Sequence, residues 1–209
     1  MRSFNIVTIP KSLKGKTAVV RVDFNEPTKN GKIADSFRIK NTAPLIKDLL
    51  RRGARVVLLA HLEDPITKKQ LSFKSHTVQL SRILGQGLSF VEEYSRSAVQ
   101  KGFLKNKVVL LENIRFHKGE EKNDIKFSNI LATFGDLYIN EAFSVSHRAH
   151  ASIVGLPRLL PAYAGQLFMR EVEALSVALH PARPFLLIVG GAKFDTKYAL
   201  LKNFLPKAD

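Results

Sequence analysis

Leu137-Tyr-Ile-Asn-Glu-Ala-Phe-Ser-Val-Ser-His-Arg-Ala-His-Ala-Ser152 opens as a strand and continues as a polar loop. Leu137, Tyr138 and Ile139 have the aromatic and β-branched character of a buried strand, and Asn140 with Glu141 ends the apolar run. The loop then delivers Ser144, Ser146, His147, Arg148, His150 and Ser152 to one place. In open α/β sheets ligands bind beyond the carboxyl ends of the strands, so this design marks a candidate anion site. Taken alone, an ordinary basic surface loop would read the same way.

Three further stretches repeat the design. The strand pattern over 107–112 runs into Asn113-Ile-Arg-Phe-His117, that over 17–22 into Asp23-Phe-Asn25, and that over 54–60 into His61. Apolar strands that each end in a group able to grip an anion describe the carboxyl edge of a parallel sheet.

Working outward, apolar periodicity predicts helices over 37–50, 75–84, 95–104 and 124–134, alternating with strands over 17–22, 54–60, 88–91, 107–112 and 137–140. Strand, helix, strand in series requires crossover connections, hence an α/β fold with a parallel sheet. Asn30-Gly31 predicts a turn. The pattern changes after Pro157: residues 163–179 read as one long helix stopped by Pro181 and Pro184, 185–189 as an apolar strand, Gly190-Gly-Ala-Lys193 as a turn, and 195–205 as a helix. A lone strand-helix unit cannot cover its own exposed face. The expected organisation is therefore an α/β domain over 1–162, an interdomain helix over 163–180, and the incomplete start of a second α/β domain over 181–209.

With 33 Lys+Arg against 18 Asp+Glu the formal charge is +15, which raises the possibility of a nucleic-acid partner. The basic residues are dispersed, however, and include Lys40, Lys47, Arg51 and Arg52 of an amphipathic helix. No arginine-rich arm, zinc-ligand spacing or aromatic RNA-binding motif occurs. A positive cleft for a small anion plus a solvated basic surface is the expectation, with no specific nucleic acid. The absence of cysteine excludes disulfides and thiolate metal sites. Residues 1–16 have no signal-peptide core, and no apolar run approaches the ~18 residues of a spanning helix, so a soluble, cytoplasmic protein is expected.

Arg21-Val-Asp-Phe-Asn25, Leu110-Leu-Glu-Asn-Ile-Arg-Phe116, His147-Arg-Ala-His-Ala-Ser152 and Gly190-Gly-Ala-Lys193, in this order, resemble phosphoglycerate kinase over nearly the whole chain. The resemblance implies two Rossmann-like, three-layer domains, the first holding 3-phosphoglycerate and the second Mg-ATP, with this chain reaching about half of that architecture. It implies phosphoryl transfer between 1,3-bisphosphoglycerate and ADP, giving 3-phosphoglycerate and ATP, by a monomer that closes about the 163–179 helix. By the same resemblance Asp23, Asn25, Arg38, His61, Arg115 and Arg148 contact the phosphoglycerate, whose phosphate and carboxylate suit planar arginine forks. Arg38 and Lys193 would act on the transferring phosphoryl group, and Lys193 and Lys197 on the nucleotide phosphates near a helix amino end. Mg²⁺ would arrive with the nucleotide; no metal ligand is assigned here. Plainer readings remain for each: Asp23 and Asn25 as a turn after a strand, His61 as a structural histidine, His147 and His150 as loop scaffold, Lys193 and Lys197 as solvated lysines. Two other classes stand beside the enzyme, a catalytically silent anion-binding fragment and a basic nucleic-acid-binding protein. Little turnover is expected of the 209 residues alone.

The chain departs from the family pattern at two places. Ala60-His-Leu-Glu-Asp-Pro65 stands where Ser-His-Leu-Gly-Arg-Pro is usual, so a phosphate-binding arginine is replaced by Asp64 beside an added Glu63. Such a contact contributes about 1.5–3 kcal/mol, and a carboxylate in its place repels. The expectation is that the loop swings away and Lys68 or Lys69 substitutes. Ser144 stands where glycine is usual.

Overall fold

The computed structural model describes residues 8–29, 31–64, 66–190 and 195–209. The chain divides into two compact units, Met1–Phe168 and Met169–Asp209.

In the first unit β1 (Thr17–Arg21), β4 (Arg55–Leu59), β5 (Leu88–Val91), β6 (Val108–Leu111), β7 (Leu137–Asn140) and β8 (Ala162–Ala164) form one sheet in the order β5-β6-β4-β1-β7-β8. Every pairing in it is parallel. The helices α1 (Phe37–Arg51), α2 (Thr77–Leu84), α3 (Arg96–Phe103) and α4 (Ile125–Ala132) alternate with the strands. Side chains alternate across a strand, and here both faces are covered. Val20, Leu58, Leu110 and Ile139 pack with Ile39, Ile46 and Leu49 of α1 and Leu80 of α2. Val19, Val57, Val109 and Tyr138 pack on the other side with Val99 of α3 and Phe127 and Leu131 of α4. This is the three-layer α/β arrangement expected from the alternation of strand and helix.

Local chemistry fixes the helix ends. Ser95 Oγ accepts from Ala98 N at 3.2 Å and Asp124 Oδ1 from Phe127 N at 2.9 Å, N-caps that typically contribute about 1 kcal/mol each. Gly85, at φ 62°, ends α2 in the left-handed conformation that favours glycine. The turn at Gly31 joins a small antiparallel ribbon, β2 (Thr28–Lys29) with β3 (Lys32–Ile33).

Three local expectations are corrected. The long helix over 163–179 is shorter, α5 (Gln166–Val177), because Ala162–Ala164 instead extends the sheet as β8. Tyr138 N donates to Pro161 O at 2.9 Å, and β8 pairs with β7, which would otherwise present an open edge. The helix over 75–84 begins with a 3-10 turn, Lys74–His76. In the second unit residues 185–189 join no ladder among the described residues; an apolar run without a neighbouring strand has nothing to pair with. That unit also contains α6 (Asp195–Phe204), and Asp209 accepts from Phe185 N at 2.6 Å and pairs with Arg183.

Candidate anion-binding site

The strands β6, β4, β1 and β7 are consecutive neighbours in the sheet. Just beyond their carboxyl ends come Arg115, His61, Asp23 with Asn25, and the loop that carries Arg148. The chain leaves β1 for β4 on one side and arrives at β7 on the other, so the edge of β1 is a switch point of the kind where ligands bind.

Arg38 sits in the first turn of α1, where a cation faces an unfavourable dipole. Two carboxylates offset it. Its backbone N–H donates to Glu26 Oε1 at 2.8 Å, and its Nη1 donates to Asp23 Oδ2 and to Asn25 O, both at 3.1 Å. Ser144 Oγ donates to the same Asp23 oxygen at 2.6 Å, so the serine in place of the usual glycine tethers the β7 loop to the β1 loop. Asn25 Oδ1 in turn accepts from Glu63 N at 2.8 Å, tying the β1 and β4 loops together.

Arg115 is held in a short 3-10 turn, Ile114–Phe116, in which Asn113 Oδ1 accepts from its N–H at 3.1 Å. Asn113 Nδ2 donates to Leu62 O at 2.7 Å and Leu71 O at 2.9 Å, so one buried amide sets both the arginine turn and the loop after β4. The Arg115 side chain is only 4% exposed. Its Nη1 donates to Glu63 Oε2 at 2.7 Å, whereas its Nε, 3.5 Å from Glu121 Oε1, has no hydrogen-bond partner. Burial lowers its affinity for its proton, with the charge of Arg148 the next cause, against Glu63 and Glu121. A buried guanidinium with one N–H not hydrogen-bonded, at the carboxyl edge of the sheet, is a group that an oxyanion could engage.

The expected outward swing of the loop after β4 does not occur at Glu63, which lies against Arg115 because that buried cation needs a counter-charge. Asp64 does turn away: its Oδ1 accepts from the N–H groups of Ile66 at 2.9 Å and Thr67 at 2.7 Å. Its carboxyl is held below the usual range by those backbone bonds. Lys68 Nζ stands 4.0 Å from Glu63 Oε1.

Two residues that pattern reading left unassigned, Arg21 and Glu120, join Ser152 of the loop in holding the site from beneath. Arg21, at 1% exposure, donates through Nε to Ser152 Oγ at 3.0 Å and through Nη1 to Val22 O at 2.6 Å. Ser152 Oγ donates to Glu120 Oε1 at 2.6 Å, and Ser152 N to Glu120 Oε2 at 3.0 Å. His150 Nδ1 lies 3.8 Å from Glu120, and burial lowers its affinity for a proton, which fits the scaffold reading. A charged residue within the apolar run over 17–22 is the signal that could have exposed Arg21, whereas Glu120, in the mixed-charge stretch from His117 to Lys122, carries none. Arg148 is exposed, while Lys193 and the side chain of Lys197 lie outside the described residues. Among the described residues no group of three or more His, Cys, Asp or Glu could hold a metal ion, and no helix is long and apolar enough to cross a membrane.

A parallel sheet covered by helices on both faces, with arginines after its carboxyl ends, defines an α/β protein of the doubly wound type with a candidate anion site at that edge. The model of the phosphoglycerate kinase family matches residues 9–209. The phosphoglycerate kinase of Caulobacter vibrioides (strain NA1000 / CB15N) is 48% identical over 203 residues, covering 94% of this chain and 51% of that protein. That of Methylorubrum populi is 46% identical over 215 aligned positions, covering 100% of this chain and 54% of the relative. The crystal structure of phosphoglycerate kinase from Pyrococcus horikoshii OT3 superposes with a TM-score of 0.84 at 34% identity, over 95% of this chain and 52% of that one. The chain belongs to the phosphoglycerate kinase family. It spans about half the length of the curated relatives it matches.

Proposed function

We propose that this chain supplies the 3-phosphoglycerate-binding half of a phosphoglycerate kinase, which moves a phosphoryl group between 1,3-bisphosphoglycerate and ADP. The observation that carries the reading is the placement of Arg115, His61, Asp23 and Arg148 after four adjacent parallel strands, with Arg38 bonded to Asp23. Arg115 and Arg148 hold the oxyanions of the substrate, and Asp23 and Asn25 meet its hydroxyl. Arg38 neutralises charge that develops on the transferring group, where little covalent work is left to the protein. His61, buried and neutral, positions Arg21 rather than carrying charge to the ligand. Mg²⁺ bound with the nucleotide would neutralise the nucleotide phosphates; the residues described act on the phosphoglycerate side. Lys193 and Lys197 keep their nucleotide roles as part of this proposal, as do a monomeric state and a cytoplasmic location.

Differential scanning of the 209-residue chain with 3-phosphoglycerate tests the reading. Ligand at a hundred times its dissociation constant stabilises by about 2.7 kcal/mol. A thermal shift no larger than that from sulfate at matched ionic strength would remove the specific site. A coupled assay with 3-phosphoglycerate and Mg-ATP, run beside Arg38→Ala, measures whatever turnover the chain supports.

A further inference from the structure

Glu63 stands where the family resemblance leads one to expect glycine, and its carboxylate lies against Arg115 of the candidate anion site. Its Oε2 accepts from Arg115 Nη1 at 2.7 Å and from Gln70 Nε2 at 2.8 Å, and its Oε1 lies 4.0 Å from Lys68 Nζ. A guanidinium, an amide and an ammonium converging on one carboxylate form a donor set that an oxyanion ligand would use. Here a side chain of the protein occupies it.

The surroundings allow that carboxylate to leave while the donors stay. The backbone of Glu63 is pinned by Asn25 Oδ1 and by an isolated bridge to Gln70. The turn between them is closed by Asp64. Asn113 holds the carbonyls on both flanks, Leu62 and Leu71. The Glu63 side chain is 22% exposed against 4% for Arg115, so rotation about its own side-chain bonds suffices to bring the carboxylate to water. The backbone of Arg115 is held in its turn by Asn113, and its side chain is the more deeply buried of the two.

We propose that Glu63 is an internal competitor for the anion site: its carboxylate neutralises Arg115 until an incoming phosphate or carboxylate displaces it. The inference rests on the reading of Arg115 as a phosphoglycerate ligand. Two consequences follow from like-charge repulsion and competition for one cation. The empty site is stabilised, since a buried guanidinium retains a counter-charge. The occupied site is weakened, since every ligand must first expel Glu63.

The test is titration calorimetry of the whole chain with inorganic phosphate and, separately, with 3-phosphoglycerate, for the parent, Glu63→Gln, Glu63→Gly and Arg115→Ala, each checked for folding by circular dichroism. Removing the carboxylate should tighten both ligands about tenfold and lower the melting temperature without ligand. The gain should vanish when Glu63→Gln is combined with Arg115→Ala. Unchanged or weaker binding of both ligands by either folded Glu63 variant would overturn the proposal and make Glu63 a residue that orients Arg115. A gain that survives the loss of Arg115 would overturn it as well, by tracing the effect to net charge. Tighter phosphate binding without any preference for 3-phosphoglycerate would uphold the competitor and overturn the proposed function, so the two readings fail separately.

Discussion

Nη2 of Arg21 lies 3.3 Å from Nδ1 of His61, with the two side chains 1% and 2% exposed. A guanidinium has only donors, so the imidazole nitrogen facing it must carry its lone pair, which assigns the proton of His61 to Nε2. Burial first, then the charges of Arg21, Arg115, Arg148 and His150, pull the pKa of His61 down to about 2. The histidine therefore serves as a fixed acceptor that orients a buried arginine at the ends of β1 and β4.

Stability should accordingly fall with acid. His61 takes up a proton near pH 6.5 in the unfolded chain and only near pH 2 in the folded one. Its contribution is therefore complete above pH 6.5 and is lost as pH falls below it, by about 1.4 kcal/mol per pH unit. His76 and His150 are shifted in the same direction by burial and add to the slope. Urea unfolding at pH 7.0 and pH 5.5 should show a smaller loss for His61→Gln than for the parent; parallel losses would mean that His61 is not held neutral.

Ser152 relays between two buried charges, accepting from Arg21 Nε and donating to Glu120 Oε1. Ser152→Ala should cost about 1–3 kcal/mol, because it strands a buried donor. Glu120→Ala should cost about 3–5 kcal/mol, because it leaves Arg21 without its counter-charge. Burial raises the Glu120 carboxyl while Arg21 and Ser152 oppose that shift, as expected for such a pair. Chemical denaturation checks the order, and a Ser152→Ala midpoint equal to the parent's would exclude the relay.

Gly135 joins α4 to β7 under tight contact. A Cβ there would meet Thr17 O at 2.6 Å and Val19 Cγ2 at 2.7 Å. Since β1 is central and its carbonyl cannot retreat without disturbing a ladder, Gly135→Ala should destabilise by about 1–3 kcal/mol. Thermal unfolding of the variant measures this; no loss would mean that the β1 end yields readily.

Arg38 should separate stability from function. Its side chain is 49% exposed, so loss of the ion pair to Asp23 in Arg38→Ala should change stability by no more than about 1 kcal/mol. Affinity for 3-phosphoglycerate, or turnover where it is measurable, should fall instead. Arg38→Lys should not restore it, because a single ammonium cannot span Asp23, Asn25 and a ligand oxyanion as a planar fork does. Full rescue by lysine would reduce Arg38 to a point charge.

For the nucleic-acid alternative raised by the +15 charge, duplex DNA should bind weakly, without sequence preference, and lose affinity steeply with salt. Fluorescence anisotropy across a salt series reads this directly. Tight binding that persists at physiological salt would favour a nucleic-acid partner over a small anion.

The sequence alone determined the layers and their direction. Strands such as 56–59 and 108–111 are buried on both faces, so they appear as unbroken apolar runs, and the helices between them carry one apolar stripe each. It also marked Arg115 and Arg148, since those residues follow strands within short motifs, whereas Arg38 was reached only through the family resemblance. Only the tertiary structure decided β8: Ala162-Tyr-Ala164 is half-exposed and has no strand signature of its own, and the open edge of β7 is what recruits it. The pairings that set the chemistry were likewise out of reach. Arg115 meets Glu63 across 52 residues, Arg21 meets Ser152 across 131, and Ser152 meets Glu120 across 32. Sheet order brings those side chains together, and sheet order follows from which apolar faces pack best in three dimensions, which no local stretch of the chain encodes.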